Sequence, residues 1–265
     1  PEDFGVRGDL PSHPELLDWL ATEFVRTGFD LKRLHRSIAL SATYRQTGMV
    51  PAEVREADLE NRLWARGPRQ RLTAEMVRDQ ALFASGLLVE KIGGPSVKPY
   101  QPPGLWKSVL GGSDWKPDTG DAAYRRGLYI YWKRGVPYPT FIAFDAAKRE
   151  NCAVRRTLTT TPLQALATLN DPVFVEAGRA LGLRALKEGG KEDDARIAYA
   201  FRLVATRAPV ERETAALKSL LVDLRAHFKA EPKAAGELLS VGAAKADPKI
   251  EATEAAAWAH LGTTI

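Results

Sequence analysis

Apolar side chains recur at a helical period along most of this chain, and polar or Gly/Pro punctuation divides the periodic stretches into separate helices. Leu16, Leu17, Leu20 and Phe24 share one helical face. Ser12-His13-Pro14-Glu15 ahead of them has the spacing of a capping box, and Gly28 is placed to end the helix. Asp30 predicts the cap of a second helix carrying Leu31, Leu34, Ile38 and Ala42 and stopping at Gly48. A third is expected from Leu59 to Ala65. A fourth opens at Thr73, runs through Val77, Ala81, Ala84 and Leu88, and closes at Gly93-Gly94. Helices return at Thr161-Pro162-Leu163-Gln164, a second capping box with Pro at the first helical position. Asp171 then caps a helix through Val173, Ala177, Leu181 and Ala185 that stops at Gly189-Gly190. A helical hairpin follows, with Ile197, Phe201 and Val204 before Arg207-Ala208-Pro209 and Leu217, Leu220, Leu221, Leu224 and Phe228 after it. Shorter helical segments around Leu238 and Trp258 end the chain, and no repeat of fixed period is visible.

Residues 93–144 break this pattern, with eight Gly and seven Pro together with Trp106, Trp115, Trp132 and five of the seven Tyr. Such composition favours turns over helices. Leu128-Tyr129-Ile130-Tyr131-Trp132, between Gly127 and Gly135, is the one stretch that reads as a strand. The aromatic residues admit two readings: a binding surface for sugars or other flat ligands, or the glue that fixes a long excursion to a helical core. The expected fold is therefore mainly α, with an irregular Gly/Pro/aromatic-rich middle segment and a small β element. It is read as one domain over residues 1–265, made of N-terminal helices 1–92, an irregular aromatic and basic segment 93–160, and C-terminal helices 161–265.

Composition narrows the chemistry mainly by exclusion. The 265 residues are 45% hydrophobic and 27% charged, an ordinary globular balance. No apolar run approaches the roughly 20 residues a membrane-spanning helix needs, so no membrane span is expected. The chain starts at Pro1 and stops at Ile265 directly after a helical stretch, which is read as a fragment of a longer protein. Cys152 is the single cysteine, so an internal disulfide, a zinc ribbon and a CxxCH haem attachment are all excluded within the chain. His13, His35, His227 and His260 form no pair at metal-ligand spacing, and neither a metal nor a resident cofactor is expected here. There is no GxSxG elbow, phosphate loop or dinucleotide turn.

The net charge of +5 changes the picture once it is located. Residues 121–160 carry eight basic side chains against three acidic ones, which is the chain's entire excess. A protein that coats nucleic-acid phosphates spreads its charge along a face or tail, so no nucleic-acid partner is expected and a local anion site fits better. Arg149, Arg155 and Arg156 are the candidate cations, with Tyr131 and Trp132 as candidate aromatic contacts. The alternative makes the Arg residues salt-bridged scaffolding. Asp145 and Asp171 are candidate acid–base groups, or respectively an Arg partner and a helix cap. Cys152 lies among three Arg residues before a helix start, where a thiol can be activated, although a buried inert cysteine is the favoured reading. His13 sits in a helix cap, and it would gain a catalytic role if it met the 144–156 segment together with Tyr44 and Arg45.

Several of these stretches carry a resemblance. Pro1-Glu2-Asp3-Phe4-Gly5, Ser12 to Asp18, Ser41-Ala42-Thr43-Tyr44-Arg45-Gln46, Gly93 to Val97, Phe144 to Arg156 and Thr161 to Leu166 occur in the order found in the planctomycete-type domain of unknown function 1553. Thr160 departs from the pattern, where Asn more often stands before Thr-Pro. The resemblance implies the C-terminal part of a large exported, cytochrome c-associated protein. A periplasmic or envelope location, upstream domains as partners and a c-type haem in one of those domains come with it. Combined with the charge and aromatic pattern, the expectation is a ligand-binding or substrate-positioning module for polysaccharide or another anionic ligand. The alternatives are a catalytic domain of a haem-linked, carbohydrate-active enzyme using Asp145 and His13, and a structural or interaction domain.

Overall fold

The computed structural model describes residues 5–106, 114–149, 152, 155–244 and 247–265. Pro1 to Phe4 of the first family motif and Glu150, Asn151, Ala153 and Val154 of the 144–156 segment lie outside the described residues. Among the described residues there are eleven α-helices and no extended strand. None of the helices is long and apolar enough to cross a membrane. The chain divides into two compact units, Pro1–Arg71 and Leu72–Ile265.

The first unit holds α1 (Pro14–Arg26), α2 (Leu31–Leu40) and α3 (Ala52–Ala57). Local side-chain chemistry decides where each stops, and it corrects three expectations. His13, not Ser12, is the N-cap of α1; Ser12 Oγ lies 3.0 Å from His13 Nδ1, so the first capping box does not form. Asp30 does cap α2, accepting from the Arg33 N–H at 3.0 Å. That helix ends well before Gly48, because Ser41 Oγ donates to the Ile38 carbonyl at 2.8 Å and accepts from the Tyr44 N–H at 3.1 Å. This local alternative competes with the helical ladder. The helix expected at Leu59 to Ala65 is replaced by an earlier one, α3. Asp58 accepts from the N–H groups of Arg62 (2.8 Å) and Leu63 (2.7 Å), and Asn61 and Trp64 adopt φ of +54° and +53°. An Asp-centred turn has captured the stretch. Among the described residues of this unit only Gly67 is buried.

The second unit contains α4 (Ala74–Ser85), α5 (Pro139–Ala143), α6 (Pro162–Asn170), α7 (Pro172–Glu188), α8 (Asp193–Ala205), α9 (Glu211–Ala230), α10 (Pro232–Leu239) and α11 (Ala252–Thr264). Gly86, at φ +78°, ends α4 about two turns earlier than the Gly93-Gly94 expected from sequence. Helix α7 is the hub, packing against α4, α6, α8 and α11. Asp171 caps it through the Val173 N–H at 2.9 Å, as read from the sequence. The middle of α11 is apolar and buried, with Ala255 to Ala259 and Leu261 each at most 3% exposed. It can lie against α7 because that seam lacks side chains: a Cβ on Gly182 would sit 2.2 Å from the Trp258 carbonyl oxygen. Leu181, Ile197, Leu221, Phe228, Trp258 and Leu261 belong to the resulting core. Arg225 ties three of its helices together, reaching Asp193 on α8 (2.5 Å) and Glu254 on α11 (2.6 Å) from α9.

The irregular middle is organised by a second core around Val97, Ile130, Tyr138, Phe141, Phe144 and Phe174. The strand expected at 128–132 is not formed. Residues Gly127–Tyr129 make a 3-10 turn, and Ile130 joins Val97 only through an isolated parallel bridge, with a second at Val89 and Arg125. Helix α5, which the sequence pattern did not predict, starts at Pro139.

Candidate functional site

The Val97–Ile130 bridge builds the most distinctive surface of the second unit. Val97 N–H donates to the Tyr129 carbonyl (2.8 Å) and Tyr131 N–H returns to the Val97 carbonyl (2.7 Å), which sets Lys98 beside Tyr131. Lys98 is then fastened by Asp118, whose N–H donates to its carbonyl (2.7 Å) and whose Oδ2 accepts its N–H (2.6 Å). The Trp115 indole N–H donates to the Pro99 carbonyl at 2.8 Å. Trp106, Trp115 and Tyr131 consequently meet edge-on or tilted, with ring centroids 5.0–6.5 Å apart. The Lys98 ammonium lies 5.3 Å from the centre of the Tyr131 ring and 5.9 and 6.0 Å from those of Trp115 and Trp106. Lys133 is 4.5 Å above Trp106, and the Arg149 guanidinium 4.8 Å above Trp132. Each cation is thus held over a negative ring face, at distances where the attraction is ~0.5–1 kcal/mol or more.

Arg149 owes its position to an unusual backbone. It adopts φ +60°, and four residues earlier Asp145 adopts φ +58°. Asp145 accepts from both the N–H (2.8 Å) and the hydroxyl (2.9 Å) of Thr159, with the Gln164 amide at 3.4 Å. Gln164 also accepts from the Thr161 N–H (3.2 Å) and donates to the Ala143 carbonyl (3.0 Å), joining the start of α6 to the end of α5. Asp145, just after α5, therefore holds Thr159 and Gln164 near the start of α6. Asp171, the other candidate carboxylate, caps α7 and accepts from the Thr140 hydroxyl at 2.5 Å.

The remaining basic side chains of residues 121–160 have varied surroundings. Arg156 makes a two-pronged ion pair with Glu75 at 2.6 and 3.0 Å, which holds the Glu75 carboxyl below its ordinary range despite the opposing effect of burial. Arg126 pairs with Asp79, whose other oxygen accepts the Gly127 N–H at 2.5 Å. Arg125, 4% exposed, donates to the carbonyls of Lys91, Gly93 and Pro95 and stacks 3.8 Å above Tyr129. Arg155 is exposed. Cys152 is exposed as well, contrary to the buried cysteine favoured from the sequence.

In the first unit, His13 stacks on Trp64 with ring centroids 4.3 Å apart. Tyr44 and Trp64 line a cavity of about 580 Å³ with Glu60, Asn61 and Arg66, while Arg45 is exposed. Among the described residues, no group of three or more His, Cys, Asp or Glu side chains is arranged to hold a metal ion.

Arg149 is thus set over Trp132, Tyr131 lies beside Lys98, Trp106 and Trp115, and Asp145 holds Thr159 and Gln164. Lys98, Lys133, Trp106 and Trp115 were not singled out as site residues. The two tryptophans were visible as composition, but nothing local in the sequence places Lys98 among the rings, because only the Val97–Ile130 bridge does so. No curated protein of known function and no solved structure matches this chain. One family model does, over residues 1–221, under the description "Protein of unknown function (DUF1553)", also called PSD1. The chain belongs to that family, the domain of unknown function 1553.

Proposed function

We propose that this chain is a binding or substrate-positioning module for acidic polysaccharide, using the aromatic and basic surface around Tyr131, Trp132 and Arg149. The observation that carries the reading is the seating of Lys98, Lys133 and Arg149 on the faces of Trp106, Trp115, Tyr131 and Trp132. Such a surface offers a sugar ring an aromatic edge and its carboxylate or sulfate a cation already held in place. Arg125, Arg126 and Arg156 serve the scaffold in this reading, which narrows the ligand contacts to Arg149 and the two lysines, with Arg155 at the exposed margin. In this reading the module sits in the envelope beside other domains of the same polypeptide, one of which carries a c-type haem.

The test is calorimetric titration with uronic, sulfated and neutral oligosaccharides at low and moderate salt. Wild-type protein is expected to bind the acidic oligosaccharides saturably. Arg149→Ala and Tyr131→Ala each weaken that binding by about fivefold to tenfold, ~1–1.4 kcal/mol. Equal affinity for neutral and acidic oligosaccharides, or unchanged affinity in both variants, overturns the assignment.

A further inference from the structure

A second, separate pocket lies where the 99–124 segment, the start of α7 and the 241–243 loop converge. It encloses about 400 Å³ and is walled largely by proline, valine and alanine, with Tyr100 and Tyr124 as its aromatic members. That volume is within the range that small organic ligands occupy. Its chemistry is set by Glu176, which is 7% exposed although it carries a carboxylate. One oxygen, Oε1, accepts three hydrogen bonds, from the Tyr124 hydroxyl (2.8 Å) and the N–H groups of Ala243 (2.7 Å) and Ala244 (2.6 Å). Gly242 makes this wrap possible: it adopts φ +87°, and a Cβ there would lie 2.3 Å from Glu176 Cδ.

The other oxygen, Oε2, receives no hydrogen bond among the described residues and is not sealed from solvent. Glu176 is one of the residues that line the pocket, and Oε2 is the oxygen that keeps its acceptor capacity for a ligand. Asp118 supplies a second carboxylate to the same wall, and among the described residues no Lys, Arg or His lines it. The compensating cations stand behind. Arg179 lies 3.8 Å from Oε1, with its own N–H groups given to the carbonyls of Leu239 and Ala244. Arg78 is 2% exposed and donates to the carbonyl of Ala123, another wall residue. A buried carboxylate is thereby stabilised without a cation in the pocket itself, and an anionic ligand would face two carboxylates.

We infer that this pocket is a binding site for a small organic ammonium ion with an apolar body, its N–H groups donating to Glu176 Oε2 and its carbon skeleton packed between the tyrosine rings and the proline and valine wall. A cation over Tyr100 or Tyr124 gains from the ring faces as well as from the carboxylate. The pocket shares Pro99 and Asp118 with the scaffold that seats Trp115 and Lys98, but its ligand contacts are different ones, so either binding site can fail alone.

The experiment uses three probes that share a ring and differ in head group: cyclohexylamine, cyclohexanol and cyclohexanecarboxylate. Each is titrated into the whole chain while the backbone amide resonances of Gly242, Ala243 and Ala244 are followed. Cyclohexylamine is expected to shift those resonances saturably, cyclohexanol more weakly, and the carboxylate not at all. Glu176→Gln keeps a carbonyl acceptor for the Tyr124, Ala243 and Ala244 donors but turns an N–H group toward the pocket. It should weaken cyclohexylamine binding at least about tenfold, equivalent to ~1.4 kcal/mol. Thr119→Trp, at an exposed position on the pocket wall, should abolish binding while leaving the Glu176 contacts in place, and it serves if the first variant does not fold. Binding of the carboxylate as tight as that of the amine, no shift with any probe, or full amine affinity in a folded Glu176→Gln protein overturns the inference.

Discussion

The C-terminal helices and the irregular middle of the second unit solve the same problem with opposite materials. Between α7 and α11 the main chain satisfies itself within each helix, and removing side chains at Gly178, Gly182 and Gly262 lets the two helices approach. Among the described residues between 89 and 138 there is almost no regular ladder, and side chains take over the work of hydrogen-bonding the backbone. Arg125 serves three carbonyls, Arg78 one, Trp115 one, Tyr138 one, and Asp79 receives an N–H. Unpaired backbone groups are costly when buried, so a segment rich in Gly and Pro needs such partners. The lesson concerns charge. An Arg-rich stretch looks like a ligand site in a sequence, yet part of its guanidinium groups here substitute for missing β-ladder.

The comparison can be broken most severely at the helical seam. Gly182→Val forces a branched side chain against the Trp258 carbonyl and should cost about 3 kcal/mol or more. Calorimetry should then show the unfolding temperature lowered by roughly 6 °C or more. A midpoint within 1–2 °C of wild type, on the order of the shift expected from a surface change, would mean that α7 and α11 separate at little cost.

Arg125→Met sharpens the contrast. It preserves much of the packing over Tyr129 but leaves three carbonyls without their donor, for an expected loss of ~2–3 kcal/mol. Hydrogen exchange should quicken first at Val89, Val97 and Tyr131, whose amides hold the irregular segment together, and much less at Ala256 or Ile197. Uniform acceleration across both regions would show that they open as one unit.

The smallest effect is expected on acidification of the α8–α9 hairpin. Glu213 has its carboxyl lowered to about 2, chiefly by the two-pronged hydrogen bond from Arg207 and then by the Val210 N–H. Because its folded value lies below the unfolded one, its contribution is present at neutral pH and disappears as pH falls from the ordinary carboxylate range toward 2. The pair is exposed and solvent-screened, so the effect is slight. Comparing wild type with Glu213→Gln, stability curves should differ at neutral pH and converge near pH 2; a difference that persists there would sink the assignment.

Sequence pattern revealed α7, α8 and α9 with their cores because each carries a cap or stop beside a clear apolar stripe. It also placed Asp30 and Asp171 as caps. It failed where a side chain outcompeted the helix locally, as Ser41 and Asp58 do, and where a β-prone stretch had no neighbouring strand, as at Leu128 to Trp132. Of the proposed site, Tyr131, Trp132 and Arg149 were named from the aromatic and basic pattern of the sequence. Lys98 and Glu176 were not, since the first depends on a bridge between distant residues and the second reads as an ordinary charged position on an amphipathic helix.

The exposure of Cys152 has a practical side. As the single thiol of the chain, set three residues beyond Arg149, it accepts a maleimide dye or nitroxide without any prior mutagenesis. The unaltered chain thus comes with its own attachment point for a fluorescent or paramagnetic reporter, close in sequence to Arg149.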